Sequence, residues 1–190
     1  MGEWFTSFED AWRHFLGREE PLESFHEKLE ADPDAVGEGW LLVPPEEVRD
    51  AAGAVQERLA QFDFLALTPR HFLHVWLRAR HGADVEALAA GPPFTVAYAR
   101  VNCFHDAVVV EASAPRLDEV DAPPQFLPHM TLAYVRTAAD PAPLRDVLVE
   151  LRDEALGAGE VTELLRVRFP FSRSTVLEPW TVVERRSLRG

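Results

Sequence analysis

Two histidines stand in short segments that are otherwise mostly apolar. His74 lies within residues 73–77 (LHVWL), and His129 lies within residues 126–132 (FLPHMTL). A pair of imidazoles with ordinary pKa values near ~6.5 can accept a proton from one oxygen and donate a proton to another at neutral pH. Thr131 follows two residues after His129, so in a strand its hydroxyl would lie on the same face as that imidazole. His74, His129 and Thr131 are therefore predicted to be catalytic.

The segment around His74 is predicted to be a strand over residues 72–79, and its two faces differ in character. One face is apolar and suits a core; it carries Leu73, Val75, Leu77 and Ala79. The other face combines a titratable group, an indole and guanidinium groups; it carries Phe72, His74, Trp76, Arg78 and Arg80. A strand that only filled a core would not need this second face. Phe72, Trp76 and Arg78 are therefore expected to contact a substrate.

The segment around His129 is predicted to be a second strand, over residues 126–135. Regular alternation places one set of side chains on the face of the imidazole: Leu127, His129, Thr131, Ala133 and Val135. The opposite face then carries Met130, Leu132 and Tyr134.

Both segments resemble the motifs of the 2H phosphoesterases, the superfamily of the LigT-like 2′-5′ RNA ligases and cyclic phosphodiesterases. Residues 126–132 resemble the second His-x-Thr-hydrophobic motif of that superfamily, and residues 73–77 resemble the first. Trp76 stands where the superfamily usually has Thr or Ser. An apolar strand and a helix precede the first motif, and a hairpin separates the two motifs. The resemblance covers residues 40–184.

The resemblance implies an α+β fold with two lobes related by a pseudo-two-fold axis. Mostly antiparallel sheets would surround a central cleft, with flanking helices, and both motif strands would be central and face the cleft. In that chemistry the two histidines deprotonate the attacking oxygen and protonate the leaving oxygen of a phosphodiester. The hydroxyl of Thr131 would donate to a phosphoryl oxygen where charge builds. Neither a metal ion nor another cofactor is expected.

Several of these residues also have plainer interpretations. Trp76 is either a packing aromatic of the core or a wall on which a base stacks, and Arg78 is either a solvated strand end or a phosphate contact. His71 and His74 would lie on opposite faces of a strand, so a metal-binding pair is not expected. The remaining histidines are expected on the surface: His14, His26, His81 and His105.

Hydrophobic periodicity predicts strands mixed with helices, which favours an α+β fold over a doubly wound sheet. Helices are expected over residues 4–17, 21–30, 46–61, 84–90 and 143–156. Strands are expected over residues 40–43, 64–67, 72–79, 94–104, 107–112, 126–135, 163–169, 174–177 and 180–184. A hairpin through His105 and Asp106 joins two of these strands.

The first 39 residues differ from the rest of the chain in charge. Residues 1–39 hold 11 Asp and Glu against 3 Arg and Lys, and the other 151 residues carry a net charge of only −5. We expect an acidic helical N-terminal extension over residues 1–39, ending in a linker at 31–39, and a two-lobed domain over residues 40–190. Because the extension carries no motif, it is expected to be dispensable for chemistry.

Composition limits the possible partners and the compartment. The formal net charge of −13 argues against a broad binding surface for duplex DNA, though not against a nucleotide or an RNA end in a local cleft. A single cysteine, Cys103, is expected to be a small apolar filler in a strand, and it fits a reducing cytoplasm. The sequence has no apolar run of membrane-spanning length and no pattern of a secretory signal. A cytoplasmic monomer is expected.

Together these patterns predict an enzyme that acts on a 2′,3′-cyclic phosphate or a 2′-5′ phosphodiester of RNA or a nucleotide, with hydrolysis favoured over ligation. The main alternative is a nucleotide- or RNA-binding module, non-catalytic or weakly catalytic, whose first motif is degenerate at Trp76. A third possibility is a protein-interaction adaptor that uses the acidic N-terminal helices.

Overall fold

The computed structural model describes residues 5–28, 36–77, 82–120, 127–170, 177 and 180–189. Its α-helices are α1 (Phe8–Gly17), α2 (Phe25–Lys28), α3 (Glu46–Leu59), α4 (Gly82–Ala90), α5 (Pro115–Val120) and α6 (Ala142–Leu151). Its strands are β1 (Val36–Leu42), β2 (Leu65–Leu67), β3 (Val75–Leu77), β4 (Phe94–Cys103), β5 (Ala107–Ser113), β6 (His129–Val135), β7 (Ala155–Val161), β8 (Glu163–Pro170) and β9 (Thr181–Ser187). Among these described residues, no helix is both long and apolar enough to cross a membrane.

The described strands form one antiparallel sheet in which the two motif strands are central. The order is β7-β4-β5-β6-β3-β1-β8-β9, and β2 pairs with β6 beside β3. Three strands therefore flank β6 on one side and three flank β3 on the other, which gives two matched halves. The predicted α+β class, the antiparallel sheet and the central place of both motifs are confirmed.

The core lies on the sheet face opposite the histidines and is closed by helices. Val75 of β3 and Met130 of β6 pair with each other and are fully buried. Helix α3 begins after Pro45, with two glutamates in its first turn, where negative charge favours the helix dipole. Its buried stripe is the one that the periodicity predicts: Val48, Ala52, Val55 and Leu59.

The predicted strand over residues 72–79 is wrong at its start. Pro69 has no N–H with which to continue the pairing of β2, and the chain turns there into one 3₁₀ turn, Arg70–Phe72. The strand resumes only at Val75, so β2 and β3 are two pieces of one interrupted strand along β6. Buried Gln56 of α3 bridges the interruption, because its amide donates to the carbonyls of Thr68 (2.7 Å) and Leu132 (2.8 Å). Arg78 lies outside the described residues.

The linker predicted over residues 31–39 is wrong for residues 36–39, which belong to β1. Glu38 holds this stretch in the sheet, because Arg166 and Arg168 of β8 donate to its carboxylate. The glycines that suggested a linker are strand residues, and Gly39 pairs with Val167. Helix α1 begins at Phe8 rather than at residue 4, and Ser7 is its N-cap residue. Helix α2 is shorter than the predicted 21–30.

Two further elements were not predicted. The helix expected over residues 143–156 ends at Leu151, and the edge strand β7 follows it. Helix α5, Pro115–Val120, lies where no helix was expected. The strand expected over residues 174–177 lies outside the described residues, except for a turn at Leu177. The β4–β5 hairpin is confirmed, and Cys103 is buried within β4 as predicted.

Candidate active site

Strands β3 and β6 bring the two histidines onto one face of the sheet. Val75 pairs with Met130, so the residues that flank this pair face the other way. In this antiparallel register His74 lies opposite Thr131, and Trp76 lies opposite His129. The two histidines are then diagonal neighbours, about 7 Å apart at their backbones.

Both imidazoles are held in the same way. The Nδ1 of His74 is 2.7 Å from the carbonyl oxygen of Phe72, and the Nδ1 of His129 is 2.6 Å from that of Leu127. A carbonyl oxygen only accepts hydrogen bonds, so each Nδ1 carries the proton and donates it. The neutral rings therefore have their lone pairs on Nε2. Each histidine donates to the carbonyl of the residue two positions earlier, so the arrangement is the same in both halves of the sheet.

Burial lowers the pKa of both histidines. It lowers the pKa of His74 to about 4, against the opposing effect of the Phe72 carbonyl, and the charge of His129 lowers it further. Burial also lowers the pKa of His129, while the Leu127 carbonyl and the charge of Asp106 act in the opposite direction. Both rings are thus neutral at pH 7. An anionic phosphate bound between them would raise both pKa values, because opposite charge favours the protonated form.

Thr131 is 9% exposed and lies on the same sheet face as Tyr134. Regular alternation predicts opposite faces for these two residues, and that prediction is wrong. The β5–β6 ladder shifts register between Val108 and Val109, so β6 contains a bulge that interrupts its period of two. The bulge puts Tyr134 on the face that carries His129 and Thr131. Burial raises the pKa of Tyr134 to about 12, so this hydroxyl stays protonated.

Trp76 packs with Leu41 and Phe169 in an apolar cluster beside the histidines, which we call the floor of the site. Its ring centroid is 5.3 Å from that of Phe169, and the two rings meet edge to face. The indole also covers Gly39, because a Cβ built there would lie 2.3 Å from its Cη2 and Cζ2 atoms. Trp76 is half-buried in this packing together with Leu41 of β1. Packing is therefore one of its roles, and stacking against a base stays a prediction for its exposed part.

Phe72 does not share a strand face with His74, because it belongs to the 3₁₀ turn that precedes β3. It is only 5% exposed, and its ring contacts those of His74 (5.3 Å between centroids) and Trp180 (4.6 Å). Trp180 in turn meets the His74 ring edge to face at 5.0 Å. Aromatic side chains thus enclose His74, which accounts for the burial that lowers its pKa.

Three residues beside the motifs were not singled out from the sequence: Phe104, Tyr134 and Trp180. Phe104 meets the ring of His129 edge to face at 4.9 Å. Each is an aromatic at or near a strand end, and nothing in the local pattern distinguishes these aromatics from those of the core. Among the described residues, no cluster of three or more His, Cys, Asp or Glu is placed to hold a metal ion.

No protein-family model matches the chain. No curated protein matches it in sequence. Solved structures do match. TT0787 of Thermus thermophilus superposes with a TM-score of 0.58 at 21% identity, over 80% of this chain and 98% of the other.

Two further structures agree with that match. E. coli LigT complexed with 3′-AMP gives a TM-score of 0.50 at 18% identity, over 84% of this chain and 100% of the other. A structure described as a phosphoesterase gives 0.53 at 17% identity, over 80% of this chain and 98% of the other. The chain therefore has a LigT-like fold, as its two motifs predict.

Proposed function

We propose that this protein is a metal-independent phosphoesterase that hydrolyses a 2′,3′-cyclic phosphate or a 2′-5′ phosphodiester of a nucleotide or an RNA end. The observation that carries the proposal is the matched pair of histidines on adjacent central strands. Each is fixed through Nδ1 by the carbonyl two residues earlier, so the lone pair of each neutral ring is on Nε2. Thr131 lies in the same group of residues.

The proposed reaction on a cyclic phosphate is an addition of water. His129, neutral, accepts a proton from water as the water oxygen bonds to phosphorus. The bond from phosphorus to one ribose oxygen breaks, and His74, protonated, donates its proton to that oxygen. The product is a nucleotide monophosphate with one free ribose hydroxyl. Thr131 donates a hydrogen bond to a non-bridging oxygen, where negative charge builds in the transition state.

The nature of the substrate follows from charge and from the fold. The protein has a net charge of −13, so a long RNA would be repelled, whereas one nucleotide or an RNA end needs only a local cleft. The LigT structure with 3′-AMP holds a nucleotide. Aromatic rings beside His74, from Trp76 and Trp180, offer faces for a base. A role in RNA processing by a cytoplasmic monomer completes the proposal.

The test is an assay of the purified protein on 2′,3′-cyclic nucleotides in excess EDTA, with the monophosphate products separated. His74→Ala and His129→Ala should each lower kcat by ~10²- to 10⁴-fold, the usual size of a general acid–base contribution. His71→Ala is the matched control, because His71 is exposed on the adjacent turn and is not part of the pair. A folded His74→Ala protein with nearly full activity would contradict the two-histidine mechanism. So would activity that is lost in EDTA and restored by a metal ion.

A second candidate function is nucleotide binding without turnover. Trp76 favours it, because an indole stands opposite His129 where the related motif has a hydroxyl. In that case nucleotides would bind to the wild-type protein in calorimetry, and no monophosphate would appear from any cyclic nucleotide.

A further inference from the structure

The N-terminal segment, residues 5–28, covers part of the histidine face of the sheet beside the second motif. Glu111 of β5 pairs with His129 of β6, so its side chain stands on the same face as that imidazole. The amide of Asn102 donates to the Glu111 carboxylate (2.9 Å) and to the carbonyl of Phe8 (2.9 Å). Helix α1, which begins at Phe8, is therefore seated on the histidine face of β4 and β5.

A buried ion pair holds the helix in this position. Arg152, just after α6, donates to the Glu111 carboxylate (2.6 Å), and both side chains are 11% exposed. The Arg152 guanidinium also lies 4.7 Å from the ring centroid of Trp12, a buried residue of α1. Removal of one partner from a buried ion pair is costly, because the other charge is left unpaired. The place of α1 is therefore fixed by the sheet beneath it.

The segment also supports the aromatic ring that meets His129. The Phe104 ring meets the His129 imidazole edge to face at 4.9 Å. The rings of Phe5 and Phe8 lie 5.8 and 6.4 Å from that of Phe104. Three phenylalanine rings thus stand together beside His129, and we call this group the phenylalanine wall: Phe5, Phe8 and Phe104.

The side of His74 is built differently. The Trp180 ring meets the His74 imidazole edge to face at 5.0 Å, and Trp180 packs with the floor of the site. In the described part of the chain, this apolar cluster consists of side chains from β1, β3 and β8 and of Trp180. Its aromatic members, Trp76, Phe169 and Trp180, are each partly exposed. An aromatic surface of this kind suits the flat face of a base.

We propose that the phenylalanine wall makes water the acceptor of the phosphoryl group, because it excludes the ribose of a second nucleotide from the side of His129. The inference rests on the proposed function, in which His129 accepts the proton of the attacking oxygen and His74 protonates the ribose oxygen that leaves. The nucleoside then lies over the floor of the site beside His74, and only a small nucleophile reaches phosphorus past the wall. An RNA 5′-hydroxyl would carry its ribose and base into the wall. The protein is therefore a hydrolase that does not join RNA ends.

The charge of the segment acts in the same direction. Residues 5–28 hold six Asp or Glu against three Arg or Lys, and the charge of Asp106 reaches His129. An RNA end that approached His129 as an acceptor would bring its phosphates toward this negative charge, whereas water carries no charge. Charge therefore favours hydrolysis over ligation, as the wall does.

The test measures where the phosphoryl group goes when a 2′,3′-cyclic nucleotide reacts in the presence of an alcohol. Attack by the alcohol oxygen forms the new bond to phosphorus and breaks the bond to one ribose oxygen, and the product is a diester. His129 and His74 move the same protons as in hydrolysis. Methanol is the small acceptor, and 2′,3′-dideoxyadenosine, an uncharged nucleoside whose only hydroxyl is at 5′, is the large one. In the wild type the ratio of diester to monophosphate should be far higher with methanol than with the nucleoside at equal concentration.

Phe104→Ala and Phe8→Ala each remove a ring from the wall. Each should raise the ratio of diester to monophosphate with the nucleoside by about 5- to 150-fold, the size expected when a steric overlap is relieved. The ratio with methanol should stay unchanged. If Phe104→Ala fails to fold, Phe8→Ala carries the test alone, because Phe8 is only half-buried.

Trp180→Ala is the matched control, because it removes the ring that meets His74 as Phe104 meets His129. It should raise KM for the cyclic nucleotide, since a stacking face is lost, and leave both product ratios at their wild-type values. Equal ratios for the two acceptors in the wild type would overturn the proposal. So would wild-type nucleoside ratios in the folded wall variants, or a rise in Trp180→Ala as large as theirs.

A binding measurement separates this proposal from the proposed function. Intermolecular NOEs from the base protons of 3′-AMP can be recorded whether or not the protein turns over a substrate. Contacts with the indole protons of Trp76 or Trp180 would support this placement of the nucleoside even if no cyclic nucleotide is hydrolysed. Contacts with the ring protons of Phe8 or Phe104, or no binding, would overturn it even if the enzyme is active.

Discussion

The contact between Trp76 and Gly39 makes a quantitative prediction about the floor of the site. A methyl group at position 39 would lie 2.3 Å from two indole carbons of Trp76, closer than real Cβ atoms approach a neighbour. Gly39→Ala must therefore displace the indole or the strand. Overpacking of this kind costs ~1–3 kcal/mol of unfolding free energy. For a chain of 190 residues that corresponds to a fall in melting temperature of roughly 2–12 °C.

Trp76→Thr should be destabilising for the opposite reason, since it removes packing from Phe169 and Leu41. Full burial of a large aromatic is worth ~3–5 kcal/mol against alanine, and Trp76 is half-buried, so we expect a loss of about 2 kcal/mol. In the double variant the indole that opposes residue 39 is absent. Gly39→Ala should then cost almost no unfolding free energy. The loss in the double variant should therefore be smaller than the sum of the two single losses by ~1–3 kcal/mol.

Urea unfolding of the wild type, both single variants and the double variant measures this coupling. Gly53→Ala is the control, because a Cβ at Gly53 meets nothing within 4 Å and lies in helix α3, where alanine is preferred by up to ~1 kcal/mol. Gly53→Ala should therefore be neutral or stabilising. If Gly39→Ala costs as much in the Trp76→Thr background as in the wild type, the indole does not lie over Gly39 and the description of the floor is wrong.

The same Trp76→Thr protein tests the departure from the family motif. A restored hydroxyl opposite His129 would add a hydrogen bond to a charged phosphate, worth ~1.5–3 kcal/mol, or roughly 10- to 150-fold in kcat. Loss of the indole should weaken nucleotide affinity, because stacking is worth ~1–3 kcal/mol per base. If the variant folds with both quantities unchanged, Trp76 does not contact the substrate.

Two further predictions concern the pH dependence and the interrupted strand. The active form carries one proton on the histidine pair, and burial lowers the pKa of both rings, that of His74 to about 4. The profile of kcat/KM should therefore be bell-shaped with its maximum below ~6.5, and a maximum above 7 would contradict it. Gln56→Leu would leave the carbonyls of Thr68 and Leu132 without their donor, at a cost of ~1–3 kcal/mol in urea unfolding. A Gln56→Leu protein of wild-type stability would show that this amide does not hold the interruption.

Much of the frame could be predicted because local patterns determine it. The hairpin of β4 and β5 follows from two alternating runs around His105 and Asp106, and helix α3 follows from a clear apolar stripe. The two motifs identified the central strands and the histidines. These features need only short-range periodicity and a short, specific pattern of residue types.

Other features depend on which distant residues meet, and a local pattern does not contain that information. Residues 36–39 were taken for a linker because two of them are glycines, yet both glycines belong to β1, and the indole of Trp76 occupies the space where a Cβ of residue 39 would lie. Strand β7 was not predicted, and its first two residues were assigned to the preceding helix, because its small residues give no alternation. The N-terminal extension, residues 1–39, was expected to be dispensable for chemistry because it carries no motif, and this stays a prediction. Its contacts with Phe104 and Tyr134 arise only in the folded chain.

Strand regularity fails at two places beside the motifs, in the interruption between β2 and β3 and in the bulge of β6. Pro69 interrupts the pairing along β6, and the turn that follows ends at Phe72, whose carbonyl oxygen lies 2.7 Å from the Nδ1 of His74. The bulge opposite Val108 and Val109 puts Tyr134 on the face of Thr131. A regular strand would not place Tyr134 on that face, since alternation would send it to the core face. Regular strands thus build the frame, and local irregularities, which bulges typically supply near active sites, direct the side chains within it.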